Sequence, residues 1–173
     1  MQVPLRYNKG FSLVELLVVI AIIGLLASFV TGSLMSARAK TRDARRIRDL
    51  NEIRTALGLY YSNHQNYMDI GSGCGWLGDG DGFFNYTSVN YPKSIARCLI
   101  EDGAIPAEII DPTGGRSCDP DTGFAYMKYT CCCGETYIFA KLETLPQSDT
   151  ATDGTCCPDC DANYGMNFYL MVD

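Results

Sequence analysis

Histidine is almost missing from this chain of 173 residues, which has only His64. That excludes a metal centre or catalytic triad built on several imidazoles, and no credible Ser/His/Asp or Cys/His constellation surrounds it. His64 reads instead as a cation near the end of a helix, where it suits the dipole. Basic residues are scarce after residue 54, where five Lys/Arg face sixteen Asp/Glu. With a net charge of −6 and a sequence pI near 4.7, a basic nucleic-acid-coating protein is excluded. Proline does not interrupt residues 11–66, and cysteine is absent before Cys74. No repeat of solenoid period is visible.

What is present divides unevenly. Residues 1–54 hold nine Lys/Arg and four Asp/Glu, the reverse of the rest of the chain. All nine cysteines lie in the acidic part. The apolar fraction of 47% is enough for a packed core, so disorder throughout is excluded.

After a short polar leader carrying Arg6 and Lys9, residues 11–30 read FSLVELLVVIAIIGLLASFV, with Glu15 as the one charge. At about 1.5 Å per residue this helix is about 30 Å long, the thickness of a bilayer's hydrocarbon core. The run is too long for a secretory signal peptide, and the small residue suited to processing, Gly10, precedes it. A helical pattern continues, with Ala37, Ala44, Ile47, Leu50, Ile53, Leu57 and Tyr60 or Tyr61 expected on one apolar face. The arginines between them read as a solvated face, with Arg45/Asp49 and Arg48/Glu52 at i,i+4 spacing. The expectation is one helix of about 50 residues, apolar all round and then amphipathic, with Gly24, Gly32 and Gly58 as weak points.

Glu15 is the physical anomaly. A carboxylate in a membrane helix costs about 2.5–3.5 kcal/mol on insertion scales and calls for a partner. Cleavage between Gly10 and Phe11 would create an α-amino group four residues away, in the same chain or on an incoming copy. Lys9-Gly10-Phe11-Ser12-Leu13-Val14-Glu15 and the apolar run after it resemble the class III signal of type IV pilins and type II secretion pseudopilins. The resemblance implies cleavage after Gly10 by a prepilin peptidase and N-methylation of Phe11. It also implies that Glu15 neutralises a neighbouring N-terminus during assembly. Residues 37–67 resemble the second half of the pseudopilin helix more weakly. Tyr67 is followed by Met68 where the family usually has proline, and Gly32 stands where many pilins have proline.

The expected divisions are a cleaved leader at 1–10, a transmembrane and filament-core helix at 11–30, its amphipathic continuation at 31–66, and a cysteine-rich head at 67–173. The fold class expected is α+β and pilin-like: a long N-terminal helix on a small antiparallel sheet with a disulfide-stapled loop region. Residues 68–122 read as a Gly/Asp/Pro-rich loop containing a short helix at 92–102, with Pro92 near its start, Gly103 as its stop, and Ile95, Cys98 and Leu99 inward. Strands are expected at 124–130, 136–142 and 166–172, the middle one turning one face to the long helix.

Cys74, Cys98, Cys118, Cys131, Cys132, Cys133, Cys156, Cys157 and Cys160 are disulfide candidates, since the head would lie outside the cytoplasm. Zinc or redox chemistry at Cys157-x-x-Cys160 competes, but no βαβ context supports it. The connectivity stays open. No cofactor is expected; calcium at Asp79 and Asp81 or at Asp149 and Asp153 is a weaker reading, because neither stretch completes an EF-hand spacing. Trp76, Phe83, Phe84, Tyr86 and Tyr91 read as loop-anchoring core, and Asn85-Tyr86-Thr87 is a formal sequon of little meaning.

The function expected is that of a non-enzymatic structural subunit of a helical homo-oligomeric filament, a pilus or a secretion pseudopilus. Its implied partners are the prepilin peptidase, an assembly ATPase, a membrane platform protein and, before assembly, the membrane. A minor tip subunit that grips a surface, cargo or DNA is the alternative, with nucleic acid disfavoured by the acidic head. A membrane-anchored enzyme lacks catalytic groups.

Overall fold

The structure is a computed structural model that describes residues 10–68, 72–75, 80–87, 93–115, 125–130, 135–145 and 166–172. The chain divides into two compact units, Met1–Arg38 and Ala39–Asp173. Helix α1 (Leu13–His64) is continuous through Gly24, Gly32 and Gly58. It stops at Gln65, which adopts φ 60° while its N–H donates to the Tyr61 carbonyl at 2.7 Å. This is an αL stop made without glycine.

In the first unit every described residue is exposed, including the whole apolar run. The side chains of Ser28, Thr31 and Ser33 donate back to the helix's own carbonyls of Leu25, Ala27 and Phe29. Those bonds satisfy the hydroxyls without water.

In the second unit α1 contributes Leu50, Ile53, Ala56 and Leu57 to the core. A four-stranded antiparallel sheet runs in the order β1 (Gly82–Phe83), β2 (Met127–Thr130), β3 (Thr136–Ala140), β4 (Phe168–Val172). β2 and β3 form a hairpin, with Thr130 opposite Thr136. Ile138, Ala140 and Val172 pack in the core that holds the α1 residues. Phe83, Met127, Tyr137 and Phe139 form a second cluster. β3 is therefore buried along its whole length, whereas the alternation of its residues predicts one buried face. β1 lies inside the stretch read as loop. Its place is fixed by pairing with Lys128 and Met127, not by any local strand signal.

Helix α2 (Ile95–Glu101) starts later than the sequence suggests. Its N-cap is Ser94, whose hydroxyl accepts from the Arg97 N–H at 3.1 Å. Pro92, expected near the start, lies outside the described residues. Gly103 stops the helix as expected: its N–H donates to the Ile100 carbonyl, and the Ala104 N–H donates to the Leu99 carbonyl. Together these form a Schellman motif. Ile95, Cys98 and Leu99 are buried.

Cys74 and Cys98 form a disulfide that ties the loop before β1 to α2. Closing this loop is worth about 3–4 kcal/mol in chain-entropy terms. The other seven cysteines lie outside the described residues.

Candidate functional site

Two regions carry candidate function, each within one unit. The first is the start of α1. Ser12 is its N-cap, and it forms a reciprocal box with Glu15. The Ser12 N–H donates to Glu15 Oε2 at 2.8 Å, and the Glu15 N–H donates to Ser12 Oγ at 3.3 Å. The carboxylate thus meets two local needs, capping a free N–H and facing the positive end of the helix dipole. Glu15 Oε1 is engaged by no described residue. The Ser-x-x-Glu spacing before an apolar run was the sequence signal for this box, and reading Glu15 only as a partner for an amine overlooks it. Gly10 and Phe11 are exposed, and no described residue covers Phe11.

The second region is a clamp in the head. Arg46 is fully buried. Its Nε and Nη2 donate to the two oxygens of Asp111 at 2.6 and 3.2 Å, a bidentate fork. Its Nη1 donates to Asp43 at 2.8 Å and to Glu143 at 2.7 Å. Arg42 Nε donates to the same Glu143 carboxylate at 2.7 Å. Asp43 also accepts the Glu143 N–H, the Thr144 N–H and the Thr144 hydroxyl, at 2.9, 2.8 and 2.8 Å. One turn on, buried Asp49 accepts the Tyr126 hydroxyl at 2.7 Å.

Burial works against the charge on Arg46, but its bonds to Asp111 and Glu143 hold its pKa above the ordinary value. Burial likewise works against an ionised Asp43. The Glu143 N–H, the Thr144 groups and Arg46 outweigh it, and its pKa falls below the usual carboxylate range. Glu143 is lowered by the Arg42 hydrogen bond against a smaller opposing effect of burial. For Tyr126, burial and then the bond to Asp49 push the hydroxyl up, so it stays a donor.

This clamp corrects the reading of the helix's second half. Ala37, Ala44 and Ile47, expected inward, are exposed. Asp43, Arg46 and Asp49 are buried instead. The arginine run is not uniformly solvated: Arg42 and Arg46 are bound by the chain's own Asp111 and Glu143. Arg45 lies 3.6 Å from Asp49 at the expected i,i+4 spacing, and Arg48 lies 3.9 Å from the same carboxylate.

Of the calcium candidates, Asp81 accepts the ammonium of fully buried Lys128 at 3.1 Å and the Thr130 N–H at 2.8 Å. Asp79, Asp149 and Asp153 lie outside the described residues. His64 closes α1 as expected, its Nε2 2.6 Å from Asp102 Oδ1 and its ring stacked on Tyr60. Phe83 and Phe84 are buried; Trp76 and Tyr91 lie outside the described residues. Asn85 of the formal sequon is buried, donating to the Ile109 carbonyl at 2.7 Å.

Residues 5–31 match the model of the prokaryotic N-terminal methylation motif. The chain is similar to the type II secretion system core protein G of Klebsiella michiganensis, 32% identical over 108 residues that make up 62% of this chain and 70% of that protein. It is also similar to the type IV major pilin protein PilA of Myxococcus xanthus, 22% identical over 161 residues, 88% of this chain and 70% of the pilin. To the core protein G of Dickeya chrysanthemi it is 33% identical over 72 residues, 42% of this chain and 47% of that protein, so it spans just under half of that relative's length. No solved structure is significantly similar to the chain. A long exposed apolar helix, a clamped α+β head and these relatives place it in a class: the chain belongs to the type IV pilin and type II secretion pseudopilin family.

Proposed function

We propose that this chain is the shaft subunit of a helical filament, held in the membrane before assembly with its leader in the cytoplasm and its head outside. The observation that carries this reading is the complete exposure of the apolar run from Phe11 to Met35. No described part of the chain covers it, and water is a poor solvent for it. Lipid covers it before assembly, and the same segments of neighbouring copies cover it in the fibre.

In this reading prepilin peptidase cuts after Gly10 and methylates the new amine of Phe11. Glu15 then pairs with the Phe11 amine of the adjoining copy. It offers Oε1 while Oε2 keeps the Ser12 N–H, so the helix stays capped as the subunit docks. The pairing sets the axial stagger, and a heterologous contact of this kind does not close, so it propagates a fibre. An assembly ATPase and a membrane platform protein supply the energy and the site of extraction. A disulfide-stapled head suits the oxidising side of the membrane. That one relative is named a major pilin and others core proteins supports a shaft role over a tip role.

Mass spectrometry of the N-terminus in cells that carry a prepilin peptidase tests the processing. The expected terminus is Phe11 bearing one methyl group. A chain that keeps Met1 through Gly10 would overturn the reading.

A further inference from the structure

The peptide bond cut in the proposed processing joins the Gly10 carbonyl to the Phe11 N–H. Both residues are exposed and stand outside α1. Neither of those two backbone groups bonds to a described residue. A Cβ added at Gly10 would meet nothing within 4 Å, so the bond is open to approach. Helical bonding begins just past it, where the Leu16 N–H donates to the Ser12 carbonyl at 3.3 Å.

The reciprocal bonds of Ser12 and Glu15 hold the start at that point. An N-cap residue has non-helical backbone, so capping at Ser12 keeps Ser12 and the residues before it out of the helix. The sequence also offers an earlier start. Asn8 is the next residue upstream with a side chain of N-cap type, four positions before Ser12. A helix begun at Asn8 would take in Lys9, Gly10 and Phe11, and the Gly10 carbonyl would accept the Val14 N–H. The carbonyl to be attacked would then be tied into a helical turn. A peptidase could cut only the fraction of chains in which that turn is open.

Resting on the processing reading above, we infer that Ser12 is a positioning residue for cleavage: with Glu15 it pins the N-cap of α1 one residue past Phe11 and so presents the Gly10–Phe11 peptide to prepilin peptidase as unwound chain. Ser12 acts through the backbone and takes no part in the hydrolysis. The box therefore serves the precursor, before Glu15 serves assembly.

The test uses the full chain in detergent with purified prepilin peptidase and reads the initial rate of cleavage from the mass of the product. Ser12→Ala is expected to be cut about fivefold more slowly than the wild type, the population effect of losing one N-cap. Ser12→Asn, a different side chain that also caps, is expected to be cut at the wild-type rate. Adding Asn8→Ala to Ser12→Ala removes the competing cap and is expected to recover most of the loss. A Ser12→Ala chain cut at the wild-type rate overturns the inference. So does a Ser12→Asn chain as slow as Ser12→Ala, which would show that the peptidase reads the hydroxyl itself. A double variant no faster than Ser12→Ala overturns it too. A wild-type chain left uncut by peptidase that cleaves another prepilin refutes the processing reading itself, and the inference with it.

Discussion

Among the described residues Arg46 heads the fully buried side chains by size, and it is charged. Three carboxylates around it are held by its guanidinium, so removing it takes from buried Asp43 and Asp111 the cation they bond to and leaves Glu143 to Arg42. Arg46→Leu is expected to cost about 3–5 kcal/mol, read as a fall of roughly 10 °C or more in the melting temperature of the detergent-solubilised chain. The same cluster sets the acid response. Asp43 and Glu143 have folded pKa values below their unfolded ones, so the unfolded chain binds more protons as pH falls. Their contribution is complete well above the unfolded carboxylate values of about 4 and is lost as pH drops through the lower folded values. A melting temperature unchanged between pH 7 and pH 3 would contradict this. None of it was legible in the sequence, because Arg46 stands among Arg45 and Arg48 with the same chemistry, and its partners Asp111 and Glu143 are 65 and 97 residues away. Glu15 was legible, since one charge in an apolar run has few explanations. Its bond to Ser12 was written in the spacing as well.

The elements that follow local rules were readable, and those fixed by distant partners were not. α1 announces itself through length, the absence of proline and an apolar repeat that holds from Leu50 to Leu57. The repeat misleads at Ala44 and Ile47, where the clamp substitutes charges for apolar contacts, and at exposed Ala37. α2 ends where Gly103 permits a left-handed turn, again a local rule. β1 has two residues in a glycine-rich run, and only its pairing with β2 makes it a strand. The loop before it is set by Gly80, with φ 79°, where an added Cβ would lie 1.3 Å from the Met68 carbonyl oxygen. Gly80→Ala is therefore expected to cost well over 2 kcal/mol, because backbone must move. Gly103→Ala, with φ 78° but open space around it, should cost only the left-handed penalty of about 1–2 kcal/mol. Equal melting temperatures for the two variants would show that the loop is not packed against Met68 as described.

At the scale of the whole molecule, the uneven charge and cysteine content become one design. The basic stretch belongs to the long helix α1, which in the proposed function lies first in lipid and then in a fibre. The acidic residues belong partly to a head that neutralises two of that helix's own arginines. The cysteines gather in the head, where Cys74–Cys98 joins the loop to α2. Membership of the pilin and pseudopilin family was legible from residues 9–30 alone, because that segment carries the N-terminal methylation motif and the apolar run behind it. The head was legible only as architecture, since its loops carry no comparable constraint.

The most direct test of the filament role is the amount of this chain in purified filaments, measured for the wild type and for Glu15→Ala in the same cells. A shaft subunit assembled through Glu15 should make up the bulk of the wild-type filament, while Glu15→Ala stays in the membrane fraction with its head folded. A wild-type chain present only in trace, or a Glu15→Ala chain incorporated at the wild-type level, would contradict the account.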